Sequence, residues 1–181
     1  MLLDTPKAEL SWIIKPFSLK DSKGQTFELA DLKGPQGTVI AFICNHCPYV
    51  KSIAKHLADD AKALQAIGVN LVAINSNDYH YEPEDSPQKM TEFSKRHGFT
   101  FPYLIDETQA VAKQYGTVCT PDFFGFNADG ELQYRGRLDN SRSKKSINRN
   151  AELFEAMKGM AATGMGPEFQ NPSIGCSIKW K

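Results

Sequence analysis

The chain has 181 residues, enough for one domain, and its 21 Lys and Arg balance 21 Asp and Glu. Zero net charge removes the electrostatic motive for polyanion binding, so no nucleic-acid partner is expected. A content of 41% hydrophobic and 10% aromatic residues excludes a wholly disordered chain, and four cysteines are too few for a disulfide-built scaffold.

The first residues, with Asp4 and a short apolar patch from Leu10 to Ile14, lack the basic start, long apolar core and cleavage site of a secretory signal. A cytoplasmic location is the expectation, and with no run near the roughly 20 apolar residues of a bilayer span, no membrane partner is expected. Phe17–Leu19 and Thr26–Leu29 read as short strands around a turn at Gly24. Thr38–Ile43 is an apolar, β-branched run, the pattern of a central strand buried on both faces. From Pro48 to Ile67 apolar residues recur at helical spacing, with Gly68 as a C-terminal cap. Val69–Ile74 is the next buried strand, and 75–85 reads as a polar loop.

Ser86-Pro87 opens a helix, with Ser as N-cap, that closes at Gly98. A strand over Phe101–Asp106, a helix over Gln109–Tyr115 closed by Gly116, a hairpin from Asp122 to Arg137 and a helix over Asn150–Thr163 follow. Residues 164–181 form a tail punctuated by Gly and Pro, though Ile174, Cys176, Ile178 and Trp180 look meant for contact. The whole reads as one α/β domain in which the first strands need a parallel crossover.

Cys44-Asn45-His46-Cys47 joins a buried strand to a long helix. A Cys-x-x-Cys beside a β-α-β pattern is a redox signal in a reducing compartment. Unpaired N–H groups and the dipole of a helix N-terminus favour a thiolate, here expected on Cys44, and Cys47 is close enough in sequence to close a disulfide with it. A protonated His46 would tune the Cys44 pKa further down. Buried structural cysteines and a zinc site are the competing readings; zinc is disfavoured because Cys119 and Cys176 stand singly. Pro48 stands where a c-type haem motif needs His, and no metal or cofactor is expected. Thr120-Pro121 precedes a core strand, where proline cannot join the ladder and signals a special geometry.

A Cys-x-x-Cys at a helix start with a downstream Thr-Pro resembles the thioredoxin superfamily. The segment from Phe17 through Gly34, together with Cys44–Lys51, Cys119–Phe124 and Gly175–Lys181, is similar to a peroxiredoxin-like redoxin family, the alkyl hydroperoxide reductase/thiol-specific antioxidant group. The resemblance implies a thioredoxin-like fold, a central mixed sheet flanked by helices with an N-terminal hairpin. It also implies a cis-proline loop facing the cysteines, with the Thr120 backbone and Pro121 binding substrate. Cys119, on that loop, and Cys176, on a tail that could dock over the site, are candidate auxiliary thiols.

Peroxiredoxins carry Pro-x-x-x-Thr-x-x-Cys and a distant Arg. Counting back from Cys47 puts Ile40 and Cys44 at the Pro and Thr positions; counting from Cys44 puts Gly37 and Ala41 there. Thr120-Pro121 stands where the Arg is expected, and Arg135 and Arg137 come a strand later. The expected function is therefore a thiol–disulfide oxidoreductase, in which Cys44 attacks a substrate disulfide and Cys47 resolves it. A thiol peroxidase and a non-catalytic redox-sensing binding module are the alternatives. Expected partners are protein or small-molecule disulfides and a thiol reductant system, with a homodimer as a candidate assembly.

Overall fold

The computed structural model describes residues 1–141 and 148–181. Its strands are β1 (Leu2–Asp4), β2 (Ser18–Asp21), β3 (Thr26–Glu28), β4 (Gly37–Phe42), β5 (Val69–Asn75), β6 (Tyr103–Ile105), β7 (Cys119–Thr120), β8 (Asp122–Asn127), β9 (Leu132–Gly136) and β10 (Ile174–Ser177). Its helices are α1 (Leu29–Leu32), α2 (Pro48–Ala66), α3 (Pro87–His97), α4 (Ala110–Tyr115) and α5 (Glu152–Thr163).

Seven strands form a mixed sheet in the order β3-β2-β6-β5-β4-β8-β9. The contiguous apolar runs of β4 and β5 pair in parallel at its centre, as strands covered on both faces should. Val39, Ala41 and Ile43 pack with α2, α3 and α5, while Ile40 and Phe42 pack on the other side with Leu29 of α1, α4 and the N-terminal segment. β8 and β9 add the antiparallel hairpin, and β2 and β3 the N-terminal one. The mixed sheet flanked by helices is the architecture expected from sequence.

Local chemistry sets the helix ends. Ser86 Oγ accepts from the Lys89 N–H at 3.5 Å, and Gly98 closes α3 at φ 70°. Leu29, expected to end a strand, starts α1 instead, its side chain buried. Asp106, expected to end another, turns its carboxylate onto the N–H groups of Val111 and Ala112 at 3.3 and 2.8 Å and so caps α4.

The C-terminal segment enters the fold as a strand. β10 lies between β1 and β7 in a second, three-stranded antiparallel sheet. Beyond it, the Asn77 Oδ1 accepts from the Lys179 N–H at 2.9 Å, and the buried Gln109 side chain donates to Lys179 O at 2.8 Å.

Candidate active site

α2 begins at Pro48, as the spacing of apolar residues predicts, so Cys47 is its N-cap and Cys44 stands three residues before it. Cys44 lies back toward the end of β4, and both residues are fully buried. The Thr120–Pro121 bond is cis. Thr120 faces both cysteines: its Oγ1 is 3.1 Å from Cys44 Sγ and its carbonyl oxygen 3.5 Å from Cys47 Sγ. Cys176, on β10, puts its Sγ 3.0 Å from that of Cys47.

Cys47 Sγ is the central sulfur of a cluster in which Cys176 Sγ, the Thr120 carbonyl and, through Cys44, the Thr120 hydroxyl stand within hydrogen-bond reach. When Cys47 is ionised, the Cys44 and Cys176 thiols donate to it and the Thr120 hydroxyl donates to Cys44; when Cys47 is protonated, its own thiol donates toward Cys176. The Cys44 thiol, with help from Cys176 and the first-turn N–H of Val50, pulls the Cys47 pKa down to about 5 against the opposing effect of burial. Burial, the Cys47 charge and the Asp85 carboxylate hold Cys44 well above the ordinary thiol range. The helix-end stabilisation expected for Cys44 thus favours Cys47, the N-cap residue, which has the Val50 N–H and the Cys176 thiol beside it. The Thr120 carbonyl accepts from Cys47 only while that sulfur is protonated.

His46 also has a different setting from the one expected. Its Nδ1 is 2.5 Å from Oδ2 of Asp85, a residue from the loop before α3 that is 1% exposed. Asp85 further accepts from the N–H groups of Asn45 and His46, at 2.6 and 3.3 Å, and from Asn77 Nδ2 at 2.8 Å. The bond to Asp85 raises the His46 pKa and so favours the protonated imidazole, but beside a balancing carboxylate. Tyr103 completes the shell by donating to Asn45 Oδ1 at 2.9 Å. Asp85, Asn77 and Tyr103 were missed from sequence; all three lie in segments that look like an ordinary loop or strand.

The remaining expected residues separate. Cys119 is buried and its thiol is pushed up to about 12, chiefly by burial, a setting that disfavours its thiolate. The Thr120 backbone, expected to bind substrate, is paired with Cys176 of β10, so the chain itself occupies that edge. Pro121 borders a cavity of about 380 Å³ that Tyr49, Ile53, Leu138 and Ile174 also line. Among the described residues, Cys44, His46 and Asp85 bring one ligand atom each within 4.8 Å of one another. His46 Nδ1 and Asp85 Oδ2 are nevertheless at hydrogen-bond separation, closer than two ligands at about 2.0–2.1 Å from one tetrahedral ion.

A model of the AhpC/TSA family matches residues 13–135. The chain belongs to the AhpC/TSA family. Within the reach of that family's fold, the crystal structure of an uncharacterized conserved protein from Geobacillus kaustophilus is 44% identical, with a TM-score of 0.92 over 100% of this chain and 97% of that one. The thioredoxin domain of a thiol-disulfide oxidoreductase from Bacteroides vulgatus superposes with a TM-score of 0.66 over 86% of this chain and 99% of that one. At 13% identity this is a likeness of fold, and the fold of this AhpC/TSA chain is thioredoxin-like. The thiol-disulfide oxidoreductase ResA of Halalkalibacterium halodurans is 31% identical over 64% of this chain, and the match spans 61% of that protein's length.

Proposed function

We propose that this AhpC/TSA-family chain is a thiol–disulfide oxidoreductase whose Cys44/Cys47 pair passes two electrons to and from disulfide substrates. The observation that carries the reading is the placement of Cys44 and Cys47 at the start of α2, both facing Thr120 of the cis-proline loop, in a setting that lowers the Cys47 pKa. A low-pKa thiolate hydrogen-bonded to a second thiol is the reduced half of a dithiol couple: each can displace a partner sulfur from the other. The name of the ResA relative, a thiol-disulfide oxidoreductase, supports the same chemistry. The substrates are protein or small-molecule disulfides, and a cytoplasmic dithiol reductant returns the pair to its reduced form.

Peroxide reduction ranks behind this reading. The cations nearest to filling the peroxiredoxin Arg role are engaged elsewhere: Arg135 binds Asp122 at 2.7 Å and Arg137 binds Glu152 at 2.6 Å. The test is reduction of insulin disulfides with dithiothreitol as electron source. Turnover by the wild type, lost in both Cys44→Ser and Cys47→Ser, is expected. A wild-type chain that leaves insulin intact overturns the proposal.

A further inference from the structure

Both sulfurs of the proposed pair are sealed, each on a residue with 0% exposure. Substrate and reductant sulfurs need another way in. Cys176 is partly exposed and yet 3.0 Å from Cys47 Sγ, so it touches solvent and the buried pair together. About 1 Å of further approach would bring the two sulfurs to the ~2.05 Å of a disulfide.

The position of Cys176 is built in. β10 runs antiparallel to β7 with Cys176 opposite Thr120, where the backbone edge beside the cysteines would otherwise be open. Gly175 comes so close to Thr120 that a Cβ there would lie 1.7 Å from its carbonyl oxygen. The bonds from Asn77 and Gln109 to Lys179 hold the chain just beyond the cysteine.

We propose that Cys176 is the outer thiol of a three-sulfur relay, exchanging disulfides between solvent and the buried Cys44/Cys47 pair. The proposal rests on the reading of that pair as the redox couple. In the oxidised chain the Cys176 sulfur attacks Cys47 Sγ. The Cys44–Cys47 bond breaks, the Cys47–Cys176 bond forms, and the proton lost by Cys176 goes to the departing Cys44 sulfur. The step is an isomerisation of one disulfide and needs no oxidant. A thiolate of a solution dithiol then attacks Cys176 and expels Cys47 as a thiolate. The second thiol of that dithiol displaces Cys176, leaving the chain reduced and the dithiol oxidised.

The electrostatics suit these roles. Cys47, with its pKa of about 5, is a good leaving group. Cys176 is raised to about 11 by burial first, then by its contact with the Cys47 charge. That second influence vanishes when Cys47 is in a disulfide, which leaves burial alone opposing the Cys176 thiolate at the step that needs it.

The test begins with reduced Cys44→Ser treated with one equivalent of diamide and digested with trypsin. Two thiols should disappear together and the peptides 34–51 and 159–179 should be joined, and neither should happen in Cys44→Ser/Cys176→Ser. Oxidised Cys176→Ser should also be reduced by dithiothreitol at least about tenfold more slowly than oxidised wild type. Retention of both thiols by folded Cys44→Ser overturns the relay, as does wild-type-rate reduction of oxidised Cys176→Ser. Loss of the pair reading shows separately, as wild type that fails to turn over insulin.

Discussion

His46 Nδ1 sits 2.5 Å from Asp85 Oδ2, and the aspartate is enclosed while the imidazole reaches the surface. Asp85 is a hub: it takes the backbone N–H groups of Asn45 and His46, inside the cysteine motif, and the side chain of Asn77, which also holds Lys179 beyond β10. One buried carboxylate therefore fixes both the loop that presents the cysteines and the segment that covers them.

The first prediction concerns that ion pair. Asp85→Asn should destabilise the chain by about 3–5 kcal/mol, the usual effect of removing one partner from a buried charge pair, read by chemical denaturation. The pH dependence follows from two opposite shifts. His46 is raised above its ordinary 6.5, so its contribution is complete below that value and fades as pH climbs through the folded pKa. Burial pushes Asp85 up, but its bonds from His46, Asn77 and Asn45 outweigh it and leave the pKa below 3.8. Its contribution is present above 3.8 and fades as pH falls through the folded value. The wild-type advantage over Asp85→Asn should be largest between roughly pH 4 and 6.5. A flat difference from pH 3 to 8 would refute the charged pair.

Thiolate absorbance gives the second. One thiolate should titrate in the native chain with a midpoint of about 5. Cys44→Ser should move that midpoint upward more than Cys176→Ser does, because the Cys44 thiol is the stronger influence on Cys47. Loss of the titration in Cys47→Ser assigns it; its persistence there would place the thiolate elsewhere.

Gly175→Ala supplies the third. A methyl 1.7 Å from the Thr120 oxygen cannot be accommodated without shifting backbone, so β10 should lift from β7. Overpacking of this kind costs about 1–3 kcal/mol. Hydrogen exchange at Cys176 and Ile178 should quicken, and an unchanged exchange rate would show that the edge tolerates the side chain.

Arg135 gives the fourth. It donates twice to the wholly buried Asp122, once more to the Gly116 carbonyl, and lies over the Phe124 ring. Arg135→Ala should lower stability by about 3–5 kcal/mol by leaving Asp122 unpaired. At a temperature where the variant stays folded, its rate with hydrogen peroxide should match wild type. A large loss of peroxide rate without loss of stability would restore the peroxidase reading.

Much of this site could be read from the chain. β4, α2 and β5 follow from apolar runs and helical spacing, and Cys44, Cys47, Thr120 and Pro121 stand out because each breaks its local pattern. What escaped has a common cause. Asp85 lies in a polar stretch where one more carboxylate carries no signal, and its partners at 45 and 46 are far away in sequence. Ile174-Gly175-Cys176-Ser177 shows neither alternation nor length enough to announce a strand, and its pairing partners lie at positions 2–4 and 119–120. The helix start at Pro48 could be read from the chain, but which sulfur is favoured as thiolate depends on Cys176 and Thr120, which reach the pair from strands far along the sequence.

β10 has a consequence for recognition. An extended peptide seeking the Thr120 edge competes with a strand tethered to the same molecule, and tethering over a short span amounts to a millimolar local concentration. A free peptide's apparent affinity falls by the fraction of molecules whose berth stands empty. Casual visitors with exposed backbone are thus turned away, and a partner is admitted for the sulfur it brings to the rim.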